Sequence, residues 1–169
     1  QVIVDNRPGA NGLVATTVLA KSAPDGHTLM VVDSAHSANP ALYAKIPYDT
    51  LNDFAPITTV AMTPEAVSVH PSLPVKSLKE LIALAKSRPG KLDFASSGNG
   101  GLPHLTIELL KTLAKIDVLH VPYKGAGPAL TDVLGGHVPG FIIDFPAVYP
   151  HIKGGRLRGL VVTSESRHP

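Results

Sequence analysis

Short apolar runs rich in β-branched residues alternate along this chain with segments whose apolar residues recur at helical spacing. This alternation is typical of βαβ units, in which helices connect the strands of a mostly parallel sheet. The sequence therefore predicts an α/β fold. The predicted strands are residues 2–4, 28–32, 57–61, 66–69, 92–95, 118–121, 141–144 and 157–162.

Two helices have clear boundary signals. Residues 11–26 carry apolar side chains at helical spacing and end in the turn sequence Pro-Asp-Gly. In residues 77–90, Ser77 as N-cap and Glu80 three positions later form a capping box. The stretch 57–74 has no helical pattern, and it fits either an antiparallel strand pair or a crossover between two lobes.

Composition excludes several classes of function. Only 17% of the residues are charged, the formal net charge is +2, and lysine and arginine are scattered singly, so the chain has no nucleic-acid partner. The absence of cysteine removes disulfides and thiolate chemistry. No apolar run approaches the roughly 18 residues of a membrane span. No signal peptide opens the chain, and strand-like runs lie at both ends, so we expect a piece of a longer protein.

Two segments, residues 92–110 and 118–136, share the plan of strand, glycine-rich corner and helix. In open parallel sheets such corners lie at the carboxyl ends of strands, where ligands bind. Glycines allow close backbone approach, and hydroxyl and amide side chains add donors near the helix start. The pattern indicates a carboxylate or phosphate site, while ordinary βα turns remain the alternative.

Nucleotide-binding motifs are absent from these corners. Pro103 stands where G-x-G-x-x-G needs its last small residue, and Gly90-Lys91 lacks both the earlier glycine and the hydroxyl residue of a P-loop. The sequence therefore predicts neither a dinucleotide nor a nucleoside triphosphate as ligand.

Catalytic and metal-binding constellations are weak. His104 and Glu108 form an i, i+4 pair, which is insufficient for a zinc site. A hydrolase would need Ser96 or Ser97 as nucleophile with His104 or His120 as base, but G-x-S-x-G is missing.

Three further positions have two interpretations each. Asp144, at the end of a predicted strand, is either a functional carboxylate or a helix cap. Lys124, beside Tyr123, faces either an anion or solvent. Ser34 and His36 lie in a second candidate ligand loop, where Ser37 or Asn39 could instead be a plain N-cap.

The chain resembles a known family through six segments spread over nearly its whole length. These are "NRPGANG", "APDGHTL", "NPALYAKIPYDTLNDFAPIT", "HPSLPVKSLKELIALAKSRPGKLDFASSGNGGLPHL", "HVPYKGAGPALTDVLGGHV" and "YPHIKGGRLRGLVVTS". In order and spacing they are similar to the Bug family, the extracytoplasmic solute receptors of tripartite tricarboxylate transporters.

The resemblance implies a type II periplasmic binding protein fold, with two α/β lobes joined by crossover strands and a ligand between them. Residues 1–62 would be part of the first lobe, 63–160 a complete second lobe, and 161–169 the return crossover. The family has further strands and helices at both ends. An uncovered apolar face in residues 1–62 would then favour self-association, for instance by strand exchange.

The resemblance also implies a non-catalytic periplasmic receptor, without cofactor or metal, that captures a small organic acid and presents it to membrane transporter subunits. A small hydrolase using Ser97 and His104, and a chain that only self-associates, are the competing classes. The positions that match the family's ligand site are Ser34, His36, Ser96, Ser97, Gly98, Asn99, Gly100, Gly101, His104, Tyr123, Gly125, Ala126 and Asp144.

Two departures from the family pattern concern that site. Residues 137–145 contain two isoleucines, and Phe145 stands where a small polar residue is usual, which predicts a more apolar pocket wall. Residues 101–103 lack the hydroxyl residue that many relatives have at the helix start, which leaves the anion to backbone donors.

Overall fold

The computed structural model describes residues 1–7 and 9–166. Its internal contacts divide the chain into two compact units. The first unit comprises residues 1–60 with residues 100–102, and the second comprises residues 61–99 with the chain from residue 103 onward. Residues 167–169 of the expected return crossover lie outside the described residues.

The second unit is built on a five-stranded sheet with the order β3-β2-β4-β1-β5. Strand β2 is parallel to β3 and to β4, whereas β1 is antiparallel to both β4 and β5. The α/β class is confirmed. In this sheet β2, β3, β4 and β5 run in one direction, as expected of a mostly parallel sheet, and β1 runs against them because it starts opposite the residue where β4 ends. The strands are β1 Glu65–Val69, β2 Asp93–Ser96, β3 Leu119–Pro122, β4 Gly140–Asp144 and β5 Arg158–Val162.

The partners of β1 distinguish between the two interpretations of the helix-free stretch 57–74. The two partners are β4 and β5, and residues 57–61 form no strand beside β1. The antiparallel pair within this stretch is therefore wrong. The crossover stays a prediction.

Six α-helices are described. In the first unit α1 is Leu13–Ala20, after a 3-10 turn at Ala10–Gly12, and α2 is Ala35–Leu42. The others are α3 Leu78–Ser87, α4 Leu102–Ala114, α5 Ala126–Leu134 and α6 Phe145–Lys153. Within the described residues, no helix is both long and apolar enough to cross a membrane.

Helix α3 starts with the predicted Ser77 cap, but the Glu80 carboxylate bonds to a different residue than in a standard capping box. The Ser77 hydroxyl accepts a hydrogen bond from the Glu80 backbone N–H at 3.2 Å, as a capping box requires. The Glu80 carboxylate accepts from the Lys76 N–H at 2.7 Å, one residue before the N-cap. Both bonds satisfy donors that the helix itself leaves unpaired.

The sheet of the second unit is covered on both faces. On one face Val67, Phe94 and Ile142 pack with residues of α3 and α4, and on the other Ala95 and Phe141 pack with α5 and α6. Burial on both faces explains why Phe141, Ile142 and Ile143 of β4 form a continuous apolar run instead of an alternating one. The sheet is consequently a rigid base for the loops at its edges.

The first unit has no strand among its described residues. The strands predicted at 2–4, 28–32 and 57–61 lie outside regular structure, and Val2, Val31 and Ile57 are 91%, 81% and 76% exposed. A strand needs a hydrogen-bonded neighbour, and none of these segments pairs with another in the described chain. Their apolar β-branched composition alone is therefore insufficient.

We expect Gly140→Ala to lower the free energy of unfolding by about 1–3 kcal/mol, because added methyl groups strain a packed core. A Cβ at Gly140 would lie 2.9 Å from Cζ of the buried Phe94. The measurement is urea denaturation. Gly127→Ala in α5 is the matched control, since its Cβ would meet nothing within 4 Å. Equal unfolding free energies for the two variants would contradict this packing.

Candidate functional site

The two glycine-rich corners lie side by side in the second unit. Strands β2 and β3 are parallel neighbours with Ser96 opposite Pro122, so both corners leave the same edge of the sheet. The Tyr123 N–H donates to the Ser96 carbonyl at 3.0 Å, and the Gly125 N–H donates to the Ser97 carbonyl at 2.9 Å. These two bonds tie the corners together.

Glycine is required at two points of this pair. Gly98 has φ +149° and Gly125 has φ +107°, conformations that side chains rarely adopt. A Cβ at Gly98 would also lie 3.3 Å from the Tyr123 carbonyl oxygen. Gly125 then leads into α5, which starts at Ala126 and has no side-chain cap. The first N–H groups of such a helix have no partner within it, which suits an anion.

The Ser96 side chain lies beneath its corner and is fully buried. Its hydroxyl donates to the Gly98 carbonyl at 3.0 Å and accepts from the Gly98 N–H at 3.2 Å. His120 Nε2 lies 2.6 Å from the same oxygen. Ser96 thus holds the backbone of the corner, and its hydroxyl is not accessible as a nucleophile.

A cluster of ionisable groups lies beside this serine. The rings of His104 and His120 stack with centroids 4.0 Å apart and an interplanar angle of 16°. Glu108 contacts His104 at 4.0 Å and accepts from Lys111 at 2.9 Å. Burial, together with the charge of His104, lowers the pKa of His120 to about 4. His120 is therefore neutral at pH 7.

The hydroxyl of Tyr123 is held within the second unit. It donates to the Asp132 carboxylate at 2.6 Å, and this bond is the main reason why the pKa of Tyr123 rises to about 12. With its N–H bonded to Ser96, Tyr123 connects the start of its corner to α5. In this structure its hydroxyl supports the corner.

Asp144 ends β4 at the same sheet edge. It is exposed and stands at the N-cap position of α6, yet its side chain makes no capping hydrogen bond. The helix-cap interpretation is therefore wrong. A carboxylate that does not cap its helix can accept a hydrogen bond from a bound molecule.

Opposite Asp144, Glu65 begins β1 and is 1% exposed. Thr106 of α4 donates to one of its carboxylate oxygens, and the other oxygen is buried without a hydrogen-bond partner. Burial raises the pKa of Glu65, and Asp144 adds to this rise, whereas the bond from Thr106 opposes it.

The candidate residues of the first unit are placed separately. Ser34 precedes α2 and makes no capping bond, and the Asp33 carboxylate instead accepts from the Ala35 N–H at 2.9 Å. His36 packs against Tyr48 and Phe54, and its Nδ1 is buried without a hydrogen-bond partner.

Asn39 lies within α2 and is fully buried; its side-chain oxygen accepts from the Asn11 side-chain amide, and its own amide donates to the Asn11 backbone carbonyl. Ser37 is also inside this helix, so neither residue is its N-cap and that alternative is wrong. Asn11 further donates to the Gly100 carbonyl at 3.0 Å, and Gly100 and Gly101 group with this unit.

The second unit's corners offer hydrogen-bonding groups. Across residues 1–7 and 9–166, no group of three or more histidine and carboxylate side chains is arranged to hold a metal ion. Backbone N–H groups, hydroxyls and the carboxylate of Asp144 remain, and such groups recognise small polar molecules.

A family model described as the tripartite tricarboxylate transporter family receptor, TctC, matches residues 1–169. The chain belongs to this receptor family. BugT of Bordetella pertussis is 40% identical over 168 residues, which are 98% of this chain and 52% of BugT. The chain spans about half the length of the curated relatives it matches.

Solved structures agree with membership of the TctC family. Rpa4515 of R. palustris, described with adipate, superposes with a TM-score of 0.91 at 37% identity, covering 98% of this chain and 56% of that one. The periplasmic binding protein BugD superposes with a TM-score of 0.88 at 30% identity, covering 98% of this chain and 55% of BugD. MatC of Rhodopseudomonas palustris, described with bound malate, superposes with a TM-score of 0.83 at 32% identity, covering 94% of this chain and 54% of MatC. The α/β fold is therefore that of periplasmic binding proteins.

Two residues of this TctC-family site were not among the ligand positions predicted from the sequence. Glu65 stands two and four positions before the buried Val67 and Val69, so strand periodicity already placed it on a buried face. His120 lies opposite Phe94 in the β2–β3 pairing, which the sequence does not reveal. Ile142 and Ile143 lie inside the core, so the expected apolar pocket wall stays a prediction for the half-buried Phe145 alone.

We expect Glu65→Gln to flatten the pH dependence of stability. Because the native pKa is raised, the folded protein keeps this proton above the ordinary glutamate pKa of about 4.3, where the unfolded chain loses it. Wild-type stability should therefore fall as the pH rises through the native pKa and then level off, and glutamine has no such titration. Thermal unfolding between pH 4 and pH 8 measures this.

The exposed Glu165 provides the control, since Glu165→Gln should leave the wild-type pH profile unchanged. Identical pH profiles for Glu65→Gln and wild type would show that Glu65 titrates alike in the folded and unfolded states.

Proposed function

We propose that this chain is part of a solute receptor that binds a small organic acid at the edge of the second unit's sheet. The paired corners carry the proposal. Their backbones are joined by two hydrogen bonds. Gly98 and Gly125, in conformations with positive φ, have no side chains that would cover the backbone of the two corners. A carboxylate is the ligand group that such donors suit, and two relatives are described with adipate and malate.

The proposed ligand contacts follow the family positions. In the second unit they are Ser97, Gly98, Asn99, His104, Tyr123, Gly125, Ala126 and Asp144, and the buried Ser96 lies beneath them as support. The family positions in the first unit are Ser34, His36, Gly100 and Gly101. Asp144 would accept a hydrogen bond from a ligand hydroxyl or ammonium group. This role is supported by its exposure and by the absence of a capping bond. Carboxylate affinity would come from several converging donors.

We further infer that the receptor works in the periplasm and delivers its ligand to membrane subunits of a tripartite transporter. The family model and the periplasmic BugD support this assignment. The chain's contacts divide after residue 60, which supports residues 1–62 and 63–160 as parts of two lobes. A hydrolase that used Ser96 and His120 is disfavoured, because Ser96 is buried and its hydroxyl contacts the Gly98 carbonyl.

We expect calorimetric titration with adipate, malate, citrate and glutamate to give stoichiometric binding of at least one acid, without turnover by NMR. Gly98→Ala should weaken that binding at least tenfold, about 1.4 kcal/mol, because a Cβ strains the corner. Gly26→Ala is the matched control, another positive-φ glycine whose Cβ would meet nothing within 4 Å. Heat from none of the acids, or equal binding by both variants, would overturn the proposal.

We also infer that the first unit self-associates. Its apolar runs at residues 2–4, 28–32 and 57–60 are exposed and unpaired, and strand exchange between copies would cover them. We expect light scattering to show dimers or larger species that Val31→Lys shifts toward monomer. Leu113→Lys, an exposed position on α4, is the control. A monomeric wild type at micromolar to millimolar concentration would exclude self-association.

A further inference from the structure

We propose that His120 is a positioning residue, which acts through the Ser96 hydroxyl to hold the Gly98 corner in its ligand-binding conformation. This inference rests on the proposed function. It identifies what keeps the backbone donors of that site in place, and it assigns a role to a buried hydrogen-bond network that the ligand positions leave unexplained.

The hydrogen count at Ser96 limits the possible directions of its bonds. A serine hydroxyl has one hydrogen to donate and two lone pairs. We assign this hydrogen to the Gly98 carbonyl, so that the Gly98 N–H and the imidazole both donate to the oxygen. His120 then carries its proton on Nε2. One buried oxygen atom thus receives two donors and returns one hydrogen to the corner.

The fold holds His120 at two points. Its backbone is in the β2–β3 ladder opposite Phe94, and its ring stacks on His104 of α4. By contrast, a serine hydroxyl is a rotor, and Gly98 at φ +149° has no side chain to restrict it. Through its bond to Ser96, the imidazole connects strand β3 and helix α4 to the flexible Gly98 corner.

The His120 ring donates from Nε2 both as the neutral Nε2–H tautomer and as the charged imidazolium. The charged and titratable groups of α4 that bear on it are His104, Glu108 and Lys111. His104 and Lys111 favour the neutral ring, Glu108 favours the charged ring, and burial is the largest effect. The hydrogen-bond arrangement therefore stays the same throughout the neutral pH range.

The experiment compares His120→Leu, which removes the donor, with His120→Gln, whose amide Nε2 can restore it. In the ligand-free protein, amide hydrogen exchange at Gly98 reports the bond to Ser96. We expect His120→Leu to accelerate this exchange at least tenfold and to weaken adipate or malate binding about tenfold. His120→Gln should recover most of both, although both variants lose the ring stacking and some thermal stability.

A double-mutant cycle tests whether the effect passes through Ser96. Ser96→Ala should reproduce the loss seen in His120→Leu, and the double variant should show no further loss. The exposed His27 provides the control, because His27→Leu should change neither exchange nor affinity. Additive losses, or equal losses in the leucine and glutamine variants, would mean that His120 contributes only packing and would overturn the inference.

Failure of the proposed function gives a different result. If the wild type binds neither adipate nor malate nor another acid, the receptor assignment fails. Exchange at Gly98 still decides whether His120 positions the corner, since that readout needs no ligand. Unchanged exchange in His120→Leu overturns the inference even where the wild type binds an acid.

Discussion

The parallel pairing of β2 with β3 is the constraint on which the rest of the site depends. It places Ser96 opposite Pro122, so both strands end together and both corners start at one edge. Hydrogen bonds from Tyr123 and Gly125 to the first corner are possible only in this register. A shift of β2 by one residue would also turn the Phe94 side chain out of the core. The geometry of the site is therefore linked to the burial of apolar side chains.

Burial on both faces makes that register costly to change. Phe94 fills the space above Gly140, and Ala95 and Phe141 face the opposite layer. The sheet is rigid for the same reason that its strands are apolar, whereas the corners are glycine-rich and need support from outside. The buried hydroxyl of Ser96 supplies it, because each of its contacts ends on the corner or on the neighbouring strand.

Sequence patterns predicted those features of the fold that depend on residues close together in the chain. The strands and helices of the second unit, the capping serine at Ser77 and the position of the corners all follow from spacing and turn residues. The antiparallel direction of β1 and the contact between His120 and Ser96 depend on which strands become neighbours, and no local pattern contains that information. Residues 28–32 show the opposite failure, because strand-like composition forms no strand without a partner.

Burial also determines the electrostatics around the proposed anion site. It is the main cause of both the raised pKa of Glu65 and the lowered pKa of His120, and both shifts favour the uncharged form. Charges at these two positions would act on the ligand over several ångströms in a medium of low dielectric constant. With both disfavoured, the attraction for a carboxylate at the proposed site would come from backbone dipoles at the corners, whose direction is fixed by the fold and does not change with pH.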